Sequence, residues 1–109
     1  MTYDDAIAAL ADPTRRAIVE QLRAGPMPVG ELAKGLTVSR PAVSQHLKIL
    51  SDAGLLWATP KGTRRLYAIA PDGIAALRTY LDTLWSDALT SFAHQAEIVA
   101  KGTRDDSKD

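Results

Sequence analysis

Apolar residues recur three and four positions apart in three stretches of this chain, and each stretch reads as an amphipathic helix. Ile18 and Leu22 mark one over residues 13–24, and Val43, Leu47 and Leu50 mark another over 39–53. Ile74, Leu77, Leu81, Leu84 and Ala88 begin a long third from Pro71, which continues less regularly through Phe92, Ala96 and Val99 to about Lys101. Punctuation sharpens the boundaries. Asp12 is placed to cap a helix with Pro13 at its first position, after a short helix over 2–10, and Gly25-Pro26 stops it. A very short helix is expected over 30–34, ending at Gly35. Ser39 then caps the next helix, and Pro41 is tolerated because its missing N–H falls in the first turn, where it would have no intrahelical partner. That helix ends at Ala53-Gly54.

Between residues 55 and 70 the pattern changes. LLWATP, then KG, then TRRLYAIA predicts two short strands joined at a turn. Leu55, Trp57 and Thr59 are the β-formers on one side of the turn, and Leu66, Tyr67 and Ile69 those on the other. The expected fold class is therefore mainly α with a small β-hairpin (α+β), in one domain over 1–101. The polar TRDDSKD stretch, residues 102–109, is expected to be a disordered tail.

Composition narrows the function. The 109 residues are 46% hydrophobic and 24% charged, which suits one domain with a modest core that a second copy of the chain would help to complete. The absence of cysteine excludes disulfides, thiolate metal sites and a cysteine nucleophile. MTYDDAIAAL carries acids where a secretion signal needs bases, and no segment approaches a membrane span, so a cytoplasmic protein without a membrane partner is expected. The net charge of zero conceals a segregation. Residues 13–68 hold nine basic and three acidic side chains, whereas the two flanks hold four basic and ten acidic. The middle of the chain is suited to face a polyanion.

A short helix, a turn over 35–38, a second helix and then a cationic hairpin follow the plan of a winged helix-turn-helix, in which the second helix enters the DNA major groove. On α-helical spacing Arg40, Ser44, Gln45 and Lys48 lie opposite Val43, Leu47 and Leu50, so one face holds the core and the other is free to work. Arg pairs with guanine and Gln with adenine, while Ser and Lys hold phosphates. Ser39 doubles as helix cap and phosphate contact. At the wing, residues 59–66, Arg64 is the candidate for the minor groove and Lys61 and Arg65 for the backbone. Arg15 and Arg16, at a helix start, either reach phosphate or pair with Asp12 or Glu20.

LADPTRRAIVEQL, ELAKGLTVSRPAVSQHLKILSDAGLL and GTRRLYAI resemble the winged-helix repressors of the arsenic-repressor (ArsR) family, in order and spacing as well as in motif. The resemblance spans roughly residues 5–100. It implies a homodimeric transcriptional repressor on double-stranded DNA with a pseudo-palindromic operator, and it carries Ser44, Gln45 and His46 together to the DNA surface. From its neighbours alone, His46 reads as a backbone contact or a structural side chain rather than a metal ligand.

The long last helix exceeds the width of so small a domain, so part of its apolar stripe needs a partner, while its first two turns are expected to pack within the chain. Leu77, Leu81, Leu84, Trp85 and Phe92 are the candidate dimer contacts, with the first helix alongside. Regulation is where the chain departs from the family pattern. VGELAKG offers no thiolate where many members sense metals. On the last helix His94-Gln-Ala-Glu97 matches half of a second zinc motif, but Leu81 and Thr83 stand at its other positions; Asp87 lies one heptad before His94. No metal and no cofactor is expected, and no inducer is named. No phosphate loop, catalytic triad or carboxylate pair supports an enzyme. The alternative from another class is a winged-helix protein-interaction module without DNA binding, which has no use for a cationic wing.

Overall fold

The computed structural model describes the backbone of residues 3–108 and the side chains of residues 4–101. The chain falls into two units, residues 1–77 and 78–109. In order, the elements are helices α1 (Tyr3–Leu10) and α2 (Pro13–Leu22), strand β1 (Met27–Pro28), helices α3 (Val29–Lys34) and α4 (Arg40–Asp52), strands β2 (Leu56–Lys61) and β3 (Arg64–Ile69), and helix α5 (Pro71–Lys108).

The first unit is built on the apolar faces that the spacing predicts. Ile18, Leu32, Val43, Leu47, Leu50 and Leu55 are fully buried, with Ala6, Ala9, Leu22 and Leu56 nearly so. Burying a side chain of this kind contributes about 1.5–3 kcal/mol, so these positions dominate the stability of the unit. Leu77, in the second turn of α5, packs against this same core. Both helix caps form as expected. The Asp12 carboxylate accepts the Arg15 amide at 2.9 Å, and the Ser39 hydroxyl accepts the Ala42 amide at 3.3 Å.

The end of α4 explains its glycine. The Gly54 amide donates to Ser51 O at 2.9 Å and the Leu55 amide to Leu50 O at 3.0 Å, a reverse turn that satisfies the last carbonyls of the helix. It requires a positive φ at Gly54, which is +80°. The turn delivers Leu55 into the core and starts β2 at once. Consequently Leu56, not Trp57, faces inward on β2; Trp57 is 55% exposed.

The hairpin joins in a two-residue turn, Gly62-Thr63, with Lys61 opposite Arg64 and Pro60 opposite Arg65. Gly62 has φ +63°, as a glycine-first hairpin turn demands. One element is absent from the sequence reading. Met27 and Pro28 pair antiparallel with Tyr67 and Leu66, giving a three-stranded sheet in the order β1-β3-β2. The strand immediately before α3 is thereby bonded to the wing.

The second unit consists of the remainder of α5. Leu81, Leu84, Trp85, Leu89, Phe92, Ile98 and Val99 are between 47% and 73% exposed. The backbone bounds of α5 include residues 102–108, for which the sequence predicts a disordered tail; their side chains lie outside the described residues. Among the described residues no helix is long and apolar enough to cross a membrane.

Candidate nucleic-acid interface

Helix α4 turns Val43, Leu47 and Leu50 into the core and leaves Arg40, Ser44, Gln45 and Lys48 exposed. Ser44 and Gln45 therefore stand on the outer face as expected. Lys48 donates to the Asp52 carboxylate at 3.2 Å, one turn along the same helix. Both ends of that pair are well exposed, so it holds the ammonium only weakly. The Ser39 hydroxyl accepts within the cap and retains its proton for an outside acceptor.

His46 has a different setting. It is half-buried, with Nδ1 3.4 Å from Arg15 Nη1 and 4.0 Å from the Asp12 carboxylate. The ring thus packs against the α1–α2 junction, which gives it a structural position beside the exposed Ser44 and Gln45. The Asp12 carboxyl is held below its ordinary pKa, first by the hydrogen bond from the Arg15 amide and further by the positive charge of Arg15.

The basic residues of the first unit divide into two sets. Arg15 donates through Nε to Ala9 O at 2.6 Å and through Nη2 to Ala8 O at 3.4 Å. Arg16 donates to Leu10 O at 2.8 Å and Ala11 O at 2.9 Å. Both therefore cap the C-terminal carbonyls of α1, where cations are favoured, and neither forms the anticipated side-chain pair with Asp12 or Glu20. Arg23 pairs with Glu20 at 2.9 Å. By contrast the side chains of Lys34, Arg40, Lys61, Arg64 and Arg65 make no hydrogen bond or ion pair among the described residues.

Four of these five unpaired cations line one cleft of about 530 Å³ between α3, the start of α4 and the wing. Lys34 and Glu31 come from α3, Arg40 from α4, and Arg64, Arg65 and Tyr67 from β3. The Arg40 guanidinium packs beside α3: a Cβ at Gly30 would sit 3.8 Å from one of its nitrogens, in ordinary van der Waals contact. Arg40 thus belongs with the wing arginines, whereas its helical position alone pointed to base reading. Lys34 is the residue that sequence reasoning missed. Its one signal was to be an unpaired base within the cationic middle of the chain.

The proposed dimer contacts also separate. Leu81, Leu84, Trp85 and Phe92 are exposed on α5, but Leu77 packs against the core of its own chain. Leu89 and Ile98 join the exposed set, and Leu89 was legible at four residues beyond Trp85. Among the described residues no three His, Asp or Glu side chains are placed to hold a metal ion, His94, Glu97 and Asp87 included.

Known proteins point in the same direction. A family model described as a helix-turn-helix domain matches residues 10–56. The chain is 62% identical over 90 residues to the HTH-type transcriptional regulator Rv2034 of Mycobacterium tuberculosis, covering 83% of this chain and 84% of that one. It is 46% identical over 69 residues to the HTH-type transcriptional repressor SmtB of the same species, covering 63% of this chain and 51% of that one. Among solved structures, the homodimeric winged helix-turn-helix DNA-binding domain of Mb0332 from Mycobacterium bovis, described as a possible ArsR-family regulator, aligns with a TM-score of 0.63 at 27% identity. That alignment covers 77% of this chain and 78% of that one.

Proposed function

The chain belongs to the ArsR family of winged helix-turn-helix transcriptional regulators, and on that premise we propose that it is a sequence-specific DNA-binding repressor acting as a homodimer. The observation that carries the reading is the division of its cations. Those serving the fold are bonded to it, and four of the five left over gather in one cleft at the start of α4.

In this reading α4 lies in the major groove, where Gln45 and Ser44 meet base edges and Lys48 meets the backbone. Each good bidentate pairing discriminates by about 1–3 kcal/mol. The wing, with Lys61, Arg64 and Arg65, follows the backbone toward the minor groove. Two copies joined through the exposed stripe of α5 would set their recognition helices about 34 Å apart, one turn of DNA, and so match an inverted-repeat operator. Such a protein works in the cytoplasm, needs no metal or cofactor, and responds to no inducer that its own residues identify.

The test is fluorescence anisotropy on the DNA upstream of its own gene against a shuffled duplex, at several salt concentrations. Tight binding that favours the upstream DNA is expected. Gln45→Ala should reduce that preference, whereas Arg65→Ala should weaken both duplexes alike and flatten the salt dependence. Absence of binding to either duplex would overturn the reading in favour of a protein-interaction module.

A further inference from the structure

Within the first unit the cleft between α3 and the wing concentrates charge that the fold does not use. Lys34, Arg40, Arg64 and Arg65 line it with one acid, Glu31, a surplus of three positive charges. Gathering like charges costs the folded chain energy, and none of the four cations recovers it through an internal partner. The four come from three separate elements, α3, α4 and β3. The remaining wall combines buried Pro28 and half-buried Val29 with Thr63 and Tyr67, whose hydroxyls can also donate to an anion's oxygens.

The demand of the cleft is for an anion with several oxygen acceptors in tetrahedral array. Guanidinium forks bind such groups bidentately, and an ammonium adds a point charge. The cleft also lies between the two elements that reach DNA. We infer that it seats a phosphodiester of the DNA backbone on the stretch between the groove read by α4 and the groove reached by the wing. Lys34 is then a phosphate contact belonging to neither reading element. Glu31, the one acid beside the four cations, repels the same phosphate and limits the hold of the cleft on arbitrary DNA. This inference rests on the DNA-binding reading above.

The test uses the full chain and the same two duplexes between 50 and 200 mM salt. Lys34→Gln is expected to make the slope of log affinity against log salt shallower by about 1.8, equally on both duplexes, which is the loss of one phosphate contact from each chain of the dimer. Over that fourfold range of salt the change amounts to about 12-fold in relative affinity. Glu31→Gln is expected to act in the opposite sense, strengthening both duplexes alike. Both side chains are exposed, so thermal melts should be unchanged, and a structural role would not produce effects of opposite sign.

Free phosphate is the other source of the same chemistry. Phosphorus NMR of inorganic phosphate with the DNA-free protein distinguishes the two. Saturable broadening lost in Lys34→Gln, with DNA slopes unmoved, would assign the cleft to a free phosphate ligand and overturn the backbone seat. Wild-type protein that binds DNA normally while both variants keep its slope and affinity would overturn this inference alone. Wild-type protein that binds no DNA would bring down the reading on which it rests.

Discussion

Arg15 supplies the sharpest check on the division between fold-bonded and free cations. Replacing it by Ala removes a 2.6 Å hydrogen bond to Ala9 O and two long contacts of 3.4 Å, to Ala8 O and His46 Nδ1. A hydrogen bond from a charged donor contributes about 1.5–3 kcal/mol, and one stretched to the distance limit far less. Because α1 ends partly in water, solvent takes up some of the lost bonding at the carbonyls. The expected loss is about 2 kcal/mol, most of it from the Ala9 carbonyl. For a domain of this size that lowers Tm by about 10 °C. Melts must be compared at one protein concentration, since association raises Tm by mass action. Anisotropy well below the melting range should show the salt slope of the wild type, because Arg15 neutralises no phosphate. An unchanged Tm together with a slope shallower by about 1.8, one contact from each chain of the dimer, would refute the assignment and make Arg15 a DNA contact.

Two further perturbations address the N-cap and the assembly. The Asp12 carboxyl is held below its ordinary pKa by the hydrogen bond from the Arg15 amide, so its stabilising effect is complete above the unfolded-state pKa and is lost as pH falls through the folded one. Asp12→Asn keeps a capping oxygen but cannot titrate, and urea melts should show it losing less stability than the wild type between pH 5 and pH 2.5; parallel losses would remove Asp12 from the acid response. On α5, Leu84 is 47% exposed in the single chain, and Leu84→Glu should give monomers by light scattering that bind the operator poorly. A mass equal to that of the wild-type dimer would place the interface elsewhere.

The helices were legible because their apolar spacing and caps are local properties, written within a few residues of each boundary. Ser39, Asp12 and Gly54 stand where each helix begins or ends, and the backbone there needs those side chains or that φ. Strand β1 was not legible. Two residues cannot show an alternation, and Met27-Pro28 after Gly25-Pro26 reads as linker until Leu66 and Tyr67 are brought beside it. The cations show the same boundary between local and tertiary information. Arg15-Arg16 and Arg64-Arg65 are the same dipeptide, yet the first pair caps the helix that ends just before it and the second lines an open cleft. Only Leu10-Ala11-Asp12, a break too short to carry α1 away from α2, hinted at the difference. Lys34 and Glu31 lie some thirty residues from the wing, a separation across which no spacing rule reports. His46 was ambiguous for a related reason, since its partners Asp12 and Arg15 come from the other end of the helical array.

The pairing of β1 with β3 sets how much of the wing is free to wander. Met27 and Pro28 clamp Tyr67 and Leu66, so only the Pro60–Arg65 and Lys61–Arg64 rungs and the Gly62-Thr63 turn overhang the clamp. At about 3.3 Å per residue that overhang is a stub of roughly 7 Å. Fixing a residue's backbone costs about 1–2 kcal/mol of conformational entropy, and most of that cost is met here during folding rather than on contact with a ligand. Insertions at the Gly62-Thr63 turn would extend the stub one rung for every two residues, trading longer reach for more disorder to freeze. The length of this hairpin is therefore a dial between reach and readiness, and it can be turned without touching the core.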